Sequence, residues 1–222
     1  ALTHLNDGQL SAYNVWYRQQ QIGAQIGDMG YAMFFDAFDQ ETIVKALWED
    51  VHEPIKLVEY DHRWPKMFAS EYTQIRDILG ELVIDIEHIG STAIPGMIAK
   101  PVIDILLTVQ ELTDAWKCID PLRTLGYAFI DYPQNITRLF LRKGQPRSHH
   151  LHIVKKGSPS DLNHIHFRDA LLTDEVLRAE YRQLKYDALE RYKHRRALYG
   201  QRKGKLIQKA LVKFRGASFS YS

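Results

Sequence analysis

The sequence predicts an α/β (α+β) fold in which a mixed β-sheet of about five strands is flanked by helices. Short segments rich in β-branched residues alternate with segments that carry apolar residues at helical spacing. Glycine and proline mark most of the boundaries between these segments. The order of the segments, with a helix before the first strand and a helical tail after the last, indicates a sheet covered by helices on its faces.

Two parts of the chain are predicted, with the boundary at Pro54. Proline disfavours helical geometry in the residue before it, so the helical pattern ahead of Pro54 should end there. Residues 1–53 are predicted to form a helical N-terminal extension, which contains no chemical motif. Residues 54–222 are predicted to form the main domain.

Each element of the main domain has a local signal. Trp64-Pro65 begins a helix, because proline is favoured in the first helical turn, and Gly80 ends it. Strands are predicted over residues 82–89, 101–109, 127–132, 137–142 and 149–154. Further helices are predicted over residues 111–125, 160–172, 174–196 and 204–214.

Composition argues against a membrane protein and against cysteine chemistry. The longest apolar run, residues 102–107, is interrupted by Asp104 and is far shorter than the roughly 18 residues of a membrane span. No signal peptide is visible in the given sequence. Cys118 is the single cysteine, which leaves no internal disulfide and no cysteine zinc cluster. We expect a cytoplasmic protein that does not contact a membrane.

The distribution of charge favours a small anionic ligand. The net charge is +2, but residues 142–222 hold nineteen basic and seven acidic residues, which gives +12 for that segment. A basic final third beside an acidic remainder suggests a nucleotide or a phosphorylated metabolite as partner, although solvated helix faces would give the same count. Nucleic acid is disfavoured, because the tyrosines of this segment lie along a helix where packing is their usual role. The aromatic N-terminal residues would pack on the domain or on a second subunit, so an oligomer is compatible with the sequence.

The most informative segment joins the first two predicted strands. Gly90-Ser91-Thr92 follows the first strand, and such a turn exposes backbone N–H groups and hydroxyls that hold phosphate oxygens. Asp104 on the next strand should lie near the same point. A carboxylate in that position suits a divalent metal that neutralises phosphate charge.

Residues 87–96 (EHIGSTAIPG) and 100–105 (KPVIDI) together resemble the signature of the GrpB-like family. Residues 58–61, 149–154 and 167–169 fit the same resemblance, which does not extend to residues 1–53. The resemblance implies a nucleotidyltransferase-type fold. The GrpB-like family also occurs fused to dephospho-coenzyme A kinase, which implies nucleotide or coenzyme chemistry.

The chain departs from the pattern of active nucleotidyltransferases at one position. Those enzymes carry Asp-x-Asp on the strand after the Gly-Ser turn, whereas this chain has Val102 and Asp104. Side chains alternate along strands, so Glu87 on one strand and the pair His150 and His152 on another are candidate substitutes. The predicted metal ligands are therefore Asp104, Glu87, His150 and His152, with Mg²⁺ or Mn²⁺ as the ion. The alternative is that the two histidines donate hydrogen bonds to phosphate or are buried sheet residues with satisfied hydrogen bonds.

The leading hypothesis is a metal-dependent nucleotidyl- or phosphoryl-transferase that uses a nucleoside triphosphate. Its predicted catalytic residues are Asp104 and Ser91. Its predicted phosphate ligands are Gly90, Ser91, Thr92, Lys100, Arg138 and Arg142. His88 is interpreted as a structural residue that orients the turn through a hydrogen bond, while Arg168 and Lys185 would border the pocket and Lys203 and Lys205 would close over the phosphates.

Two rival functions remain open at this stage. A non-catalytic module that binds a nucleotide or a coenzyme A precursor would explain Val102. A metal-dependent hydrolase would use His150 and His152.

Overall fold

The computed structural model describes residues 55–130, 137–193, 199, 202–204 and 206–212. The predicted N-terminal extension therefore lies outside the described residues. Within those ranges no helix is long and apolar enough to cross a bilayer.

A five-stranded mixed sheet forms the centre of the domain, as the sequence predicts. Its strands are β1 (Asp85–Ile89), β2 (Ile103–Val109), β3 (Tyr127–Phe129), β4 (Arg138–Lys143) and β5 (His149–Lys155). The spatial order is β1-β2-β5-β4-β3, in which β2 and β5 are parallel and every other neighbouring pair is antiparallel. The apolar strand β2 lies inside the sheet, together with β5 and β4, while β1 and β3 form its edges.

Five helices flank this sheet. They are α1 (Trp64–Leu79), α2 (Asp114–Lys117), α3 (Ile119–Thr124), α4 (Pro159–Thr173) and α5 (Glu175–Tyr192). Pro65 stands in the first turn of α1, as predicted, and Gly80 follows its last residue. Side-chain caps begin the other two long helices: Ser158 accepts from the N–H of Asp161, and Asp174 accepts from the N–H of Leu177. Residues 202–204 and 206–212 are also helical.

Several predicted boundaries are wrong, and proline explains two of them. The strand predicted from Pro101 begins at Ile103, because proline has no N–H to give to a strand ladder and the chain bends where Val102 N–H donates to the Lys100 carbonyl. The helix predicted over residues 111–125 is two short helices that meet at Cys118. Pro121 cannot donate a helical hydrogen bond to the carbonyl of Lys117, so one continuous helix is not formed. The first strand also begins late, after a 3₁₀ turn at Gly80–Leu82.

The two faces of the sheet differ in chemistry. One face packs against α1, α2 and α3, and its side chains form the main hydrophobic core, including Ile103, Ile105, Leu107, Leu141, Leu151 and Ile153. The opposite face, which we call the polar face, carries the alternate residues of each strand. Its members are Asp85, Glu87 and Ile89 of β1, Asp104, Leu106 and Thr108 of β2, His150, His152 and Val154 of β5, and Arg138, Phe140 and Arg142 of β4.

Helix α4 covers the polar face and α5 packs beside it. A second apolar cluster joins these helices to the loop between β1 and β2: it contains Ile94, Met97 and Ile98 of the loop together with Leu171 and Tyr181. The loop is therefore held against the C-terminal helices, and a cleft remains between the loop, α4 and α5.

On the apolar side, one buried ion pair links α1 to β4. The Lys143 ammonium lies 2.8 and 3.0 Å from the two carboxylate oxygens of Glu71, whose side chain is 4% exposed. His149 Nε2 lies 3.8 Å from the same carboxylate, and burial lowers the pKa of this histidine. Lys143 is thus the principal positive charge that compensates Glu71.

Candidate functional site

The turn after β1 depends on glycine at position 90. Gly90 has φ 69° and ψ −168°, a backbone conformation that is essentially confined to glycine. A 3₁₀ turn, Ser91–Ala93, follows it. A Cβ atom at Gly90 would lie 2.4 Å from Oδ2 of Asp104, so the missing side chain also makes room for the carboxylate. The predicted proximity of the turn and Asp104 is therefore present.

His88 fixes the position of this turn from the other side of β1. Its Nε2 is 3.0 Å from Oγ1 of Thr92, a residue that is 1% exposed. Its ring stacks on Phe68 of α1 with a centroid distance of 4.8 Å. Burial lowers the pKa of His88 to about 4, so the ring is neutral at physiological pH. This geometry agrees with the structural role that the sequence suggested for His88.

Asp104 and His150 form a polar pair across the two parallel strands. His150 Nδ1 lies 2.9 Å from Oδ1 of Asp104. Burial raises the pKa of Asp104, but the hydrogen bond from His150 and nearby positive charge outweigh it and hold the pKa below the usual range. Burial lowers the pKa of His150, so the neutral ring donates its Nδ1–H to an ionised carboxylate. Asp104 is thus a charged acceptor at the floor of the cleft.

His152 makes a different contact, which conflicts with the predicted metal role. Its Nδ1 lies 2.7 Å from Nη1 of Arg138. A guanidinium can only donate, so Nδ1 must accept and the neutral ring must carry its proton on Nε2. Burial, followed by the charge of Arg138, lowers the pKa of His152 well below 6.5. In this tautomer neither ring nitrogen offers a lone pair to a metal ion.

The four predicted metal ligands share the polar face, but the structure does not bring them together. Glu87 lies opposite Leu106, which lies opposite His152, so a leucine separates the acid from the histidine. The Glu87 carboxylate is instead 2.6 Å from Nη1 of Arg168. Among the described residues no group of three or more His, Cys, Asp or Glu side chains could hold a metal ion. Asp104 and His150, whose Nε2 keeps its lone pair, are in contact with each other and are the members of the predicted set that remain suitable.

Lys185 of α5 contacts Ser91 directly. Its Nζ lies 2.7 Å from Oγ of Ser91 and also donates to the carbonyl of Ile98. Lys185 is 2% exposed. Burial and the nearby charge of Lys203 lower its pKa to about 7. The sequence placed Lys185 at the border of the pocket, but it did not indicate the contact with Ser91.

These groups line one cleft, which has a volume of about 380 Å³ and which we call the site cleft. Gly90, Ser91 and Thr92 form part of its wall, and Asp104, His150 and His152 also line it. Three lysines line it as well: Lys100, Lys185 and Lys203. The ammonium groups of Lys100 and Lys203 lie 5.9 and 4.8 Å from the centre of the buried Tyr199 ring.

The predicted phosphate ligands divide into two sets. The turn residues and Lys100 line the site cleft, whereas Arg138 and Arg142 lie outside its lining. The two guanidinium groups instead flank the Phe140 ring, at 5.7 and 5.3 Å from its centroid, and Arg142 is 6% exposed. They are held there because β4 is separated from β2 by β5.

Some cleft residues were not predicted, and one prediction falls outside the described residues. Sequence reasoning missed Asn163, His164, Phe167 and Tyr199 as lining residues. The histidine and phenylalanine lie on α4, where their spacing resembles that of ordinary helix packing, so the sequence carried no signal for them. Lys205 is not among the described residues.

Comparison with known proteins identifies the class. A family model described as GrpB protein matches residues 54–213, so the chain belongs to the GrpB family. A UPF0157 protein of Halalkalibacterium halodurans is 32% identical over 157 residues, which cover 71% of this chain and 80% of that protein. The crystal structure of the conserved protein GrpB from Enterococcus faecalis is similar, with a TM-score of 0.65 and 29% identity over 72% of this chain and 99% of that one.

A more distant relative carries an enzymatic name. A dephospho-CoA kinase of Mycolicibacterium paratuberculosis is 27% identical over 164 residues, which cover 62% of this chain. The matched segment is 40% of that kinase, so the similarity involves less than half of the larger protein.

Proposed function

We propose that the chain binds the phosphate groups of a nucleotide or another phosphorylated small molecule in the site cleft and transfers a nucleotidyl or phosphoryl group from it. One observation carries this proposal: three lysines and the glycine-serine turn line the same cleft, while Asp104 is the acidic residue among the described lining residues. The ammonium groups of Lys100 and Lys203 both lie near the Tyr199 ring, and like charges so close together repel each other in the absence of an anion. A ligand with several negative charges would relieve that repulsion.

The turn adds directional contacts to this charge. Gly90 brings the backbone close to the floor of the cleft, and Ser91 presents a hydroxyl beside it. Oriented backbone N–H groups and a hydroxyl suit phosphate oxygens. The aromatic residues Phe167, Tyr181 and Tyr199 give the same cleft an apolar part that suits an organic moiety attached to the phosphates.

The cleft fits one divalent ion better than two. Asp104 supplies one carboxylate, and the residue two positions earlier is Val102, which is 9% exposed and has no metal-binding atom. Mg²⁺ is often held by one or two carboxylates together with substrate phosphates, so Asp104 could hold one such ion. When bound, that ion would neutralise charge on the phosphates. The two-ion arrangement that paired aspartates provide does not fit these residues.

The rival function is binding without transfer, and Val102 favours it. A site that has lost one of two carboxylates keeps its phosphate contacts but has less charge to stabilise a transition state. Nucleotide binding without turnover would then be the whole activity of the site. The hydrolase that would use His150 and His152 has less support, because His152 Nδ1 accepts from Arg138 and no group of three or more metal-ligating side chains occurs among the described residues.

Replacement of Lys203 by methionine is expected to weaken binding of a nucleoside triphosphate by about tenfold or more, because a charge-assisted contact contributes roughly 1.5–3 kcal/mol. The measurement is the dissociation constant for adenosine, guanosine, cytidine and uridine triphosphates, from calorimetry and from the shift in melting temperature. Lys209→Met is the matched control: Lys209 is exposed in the helical segment 206–212 and pairs with Glu180.

The same preparations distinguish the two functions. Transfer predicts release of pyrophosphate or of a nucleoside diphosphate in the presence of Mg²⁺ or Mn²⁺, and Asp104→Asn should abolish it. Nucleotide binding without release of either product, with every metal ion tested, supports the function of binding without transfer. Failure of all four triphosphates and of dephospho-coenzyme A to raise the melting temperature would contradict the phosphate site itself.

A further inference from the structure

We propose that Ser91 is a nucleophile and Lys185 its general base, so that the site transfers a phosphoryl group through a covalent ester on Ser91. This inference rests on the proposed function, since it takes the phosphate ligand of the site cleft as the substrate. It adds a chemical step that phosphate binding alone does not require.

The geometry is that of a nucleophile, a base and an orienting group. Ser91 Oγ and Lys185 Nζ are 2.7 Å apart, within reach for direct proton transfer. Lys185 Nζ also contacts the carbonyl oxygen of Ile98, which can only accept a hydrogen bond. A neutral amine donates one N–H to that carbonyl and turns its lone pair toward the serine hydroxyl. The same three-part arrangement activates hydroxyl nucleophiles on unrelated folds.

The surroundings of Lys185 favour its neutral form. The side chain is 2% exposed and packs near the Tyr181 ring, with 5.2 Å from Nζ to the ring centroid. The charged groups that face it are Lys203, Asp104, Lys100 and Arg182. Burial has the largest effect on its pKa, the three positive groups lower it further, and Asp104 opposes them, which leaves the pKa at about 7. A base with this pKa is available at physiological pH and can return its proton.

The rest of the cleft suits a phosphorus centre beside Ser91. Lys100 and Lys203 also line the site cleft, and their ammonium groups would balance the charge of the phosphate oxygens. Lys185 is buried at the cleft wall, where its amine contacts the Ser91 hydroxyl. Lys100 and Lys203 would thus neutralise phosphate charge, while Lys185 would accept the serine proton.

The step conserves atoms and charge. Ser91 Oγ attacks the terminal phosphorus of a phosphate anhydride, and Lys185 takes the hydroxyl proton as the new P–O bond forms. The bond between that phosphorus and its bridging oxygen breaks. The released phosphate leaves with the electron pair of that bond. Water or an acceptor hydroxyl then attacks the phosphoserine and frees Ser91. Lys185 keeps the serine proton and returns it to Ser91 Oγ when the phosphoserine P–O bond breaks, and the attacking water or hydroxyl loses its own proton to solvent.

A fluorophosphonate probe tests the nucleophile without knowledge of the natural substrate. Its phosphorus accepts the serine oxygen while fluoride leaves. We expect mass spectrometry of the folded protein to show one adduct, on Ser91, which Ser91→Ala removes and Ser70→Ala does not; Ser70 is exposed on α1. Lys185→Met should slow labelling by about 100-fold or more, in keeping with the usual contribution of a general base. Lys66→Met, at an exposed position on α1, should leave the labelling rate unchanged.

The pH profile of labelling keeps the test decisive if Lys185→Met does not fold. The rate for the unmodified chain should rise as pH increases through about 7, where Lys185 loses its proton. A profile that is flat from pH 6 to 9, or a Lys185→Met variant that folds and labels at the normal rate, would refute the role of the base.

The absence of any Ser91 adduct would overturn the nucleophile. If nucleotides still raise the melting temperature in that case, the phosphate site stands and only the covalent step fails. If an adduct forms but no nucleotide binds, the proposed substrate class is wrong, and the inference falls with it.

Discussion

Replacement of Gly90 by alanine is expected to destabilise the fold and to disrupt the site cleft at the same time. The strained backbone at φ 69° costs a residue with a Cβ about 1–2 kcal/mol. The new methyl group would lie 2.4 Å from Oδ2 and 2.9 Å from Cβ of Asp104, and overpacking of this kind adds roughly 1–3 kcal/mol. Asp104 must move to relieve the clash, which would break its contact with His150. Chemical denaturation measures the loss of stability, and nucleotide affinity measures the loss of the site.

Gly157→Ala separates the backbone effect from the clash. Gly157 has a similar φ of 73°, but a Cβ there would meet nothing within 4 Å. We expect Gly157→Ala to lose only the stability that corresponds to the backbone conformation and to bind nucleotide normally. Equal destabilisation by the two substitutions would show that the contact between Gly90 and Asp104 contributes nothing.

Replacement of Lys143 by methionine is expected to lower the free energy of unfolding by about 3 kcal/mol. Removal of one partner from a buried ion pair costs roughly 3–5 kcal/mol, and the 21% exposure of Lys143 places this case at the lower end. Glu71, at 4% exposure, would then lack its lysine partner, and the His149 ring nitrogen lies 3.8 Å away. Because burial lowers the pKa of His149, that ring is a poor substitute for the lysine. Urea denaturation of the two proteins gives the difference directly.

An exposed pair offers the control. Lys155 lies 2.7 Å from Glu111, with side chains that are 46% and 54% exposed, and Lys155→Met should change stability by less than about 1 kcal/mol. The double variant Glu71→Gln and Lys143→Met should recover part of the loss, since it leaves no unpaired buried charge. A Lys143→Met variant as stable as the Lys155→Met variant would mean that water reaches Glu71 without cost.

The sequence predicted the sheet well because each strand has its own local signal. β-Branched residues marked β1, β2 and β5, and Pro65 and Gly80 marked the limits of α1. Two of the wrong boundaries arose where proline acted inside an apolar segment, at Pro101 and Pro121. Apolar periodicity alone does not report a missing N–H group.

The site was predicted less completely because its contacts join distant segments. Strand alternation correctly placed Glu87, His150 and His152 on the face of Asp104. It could not give the order of the strands across the sheet, which puts Leu106 between the acid and the histidine. The contact between Ser91 and Lys185 joins residues 94 positions apart, and no local pattern encodes a pairing over that distance.

The parallel pairing of β2 with β5 has a consequence for how the chain reaches its native arrangement. A slip of one residue along β5 that sets Leu151 opposite Asp104 would turn His150 and His152 toward the hydrocarbon interior and leave an ionised Asp104 beside an apolar side chain. Such misaligned states carry a high desolvation cost, since a carboxylate without a hydrogen-bond donor is expensive to bury. The contact between Asp104 and His150 therefore also favours the native register of β5 against β2 while the central strands assemble.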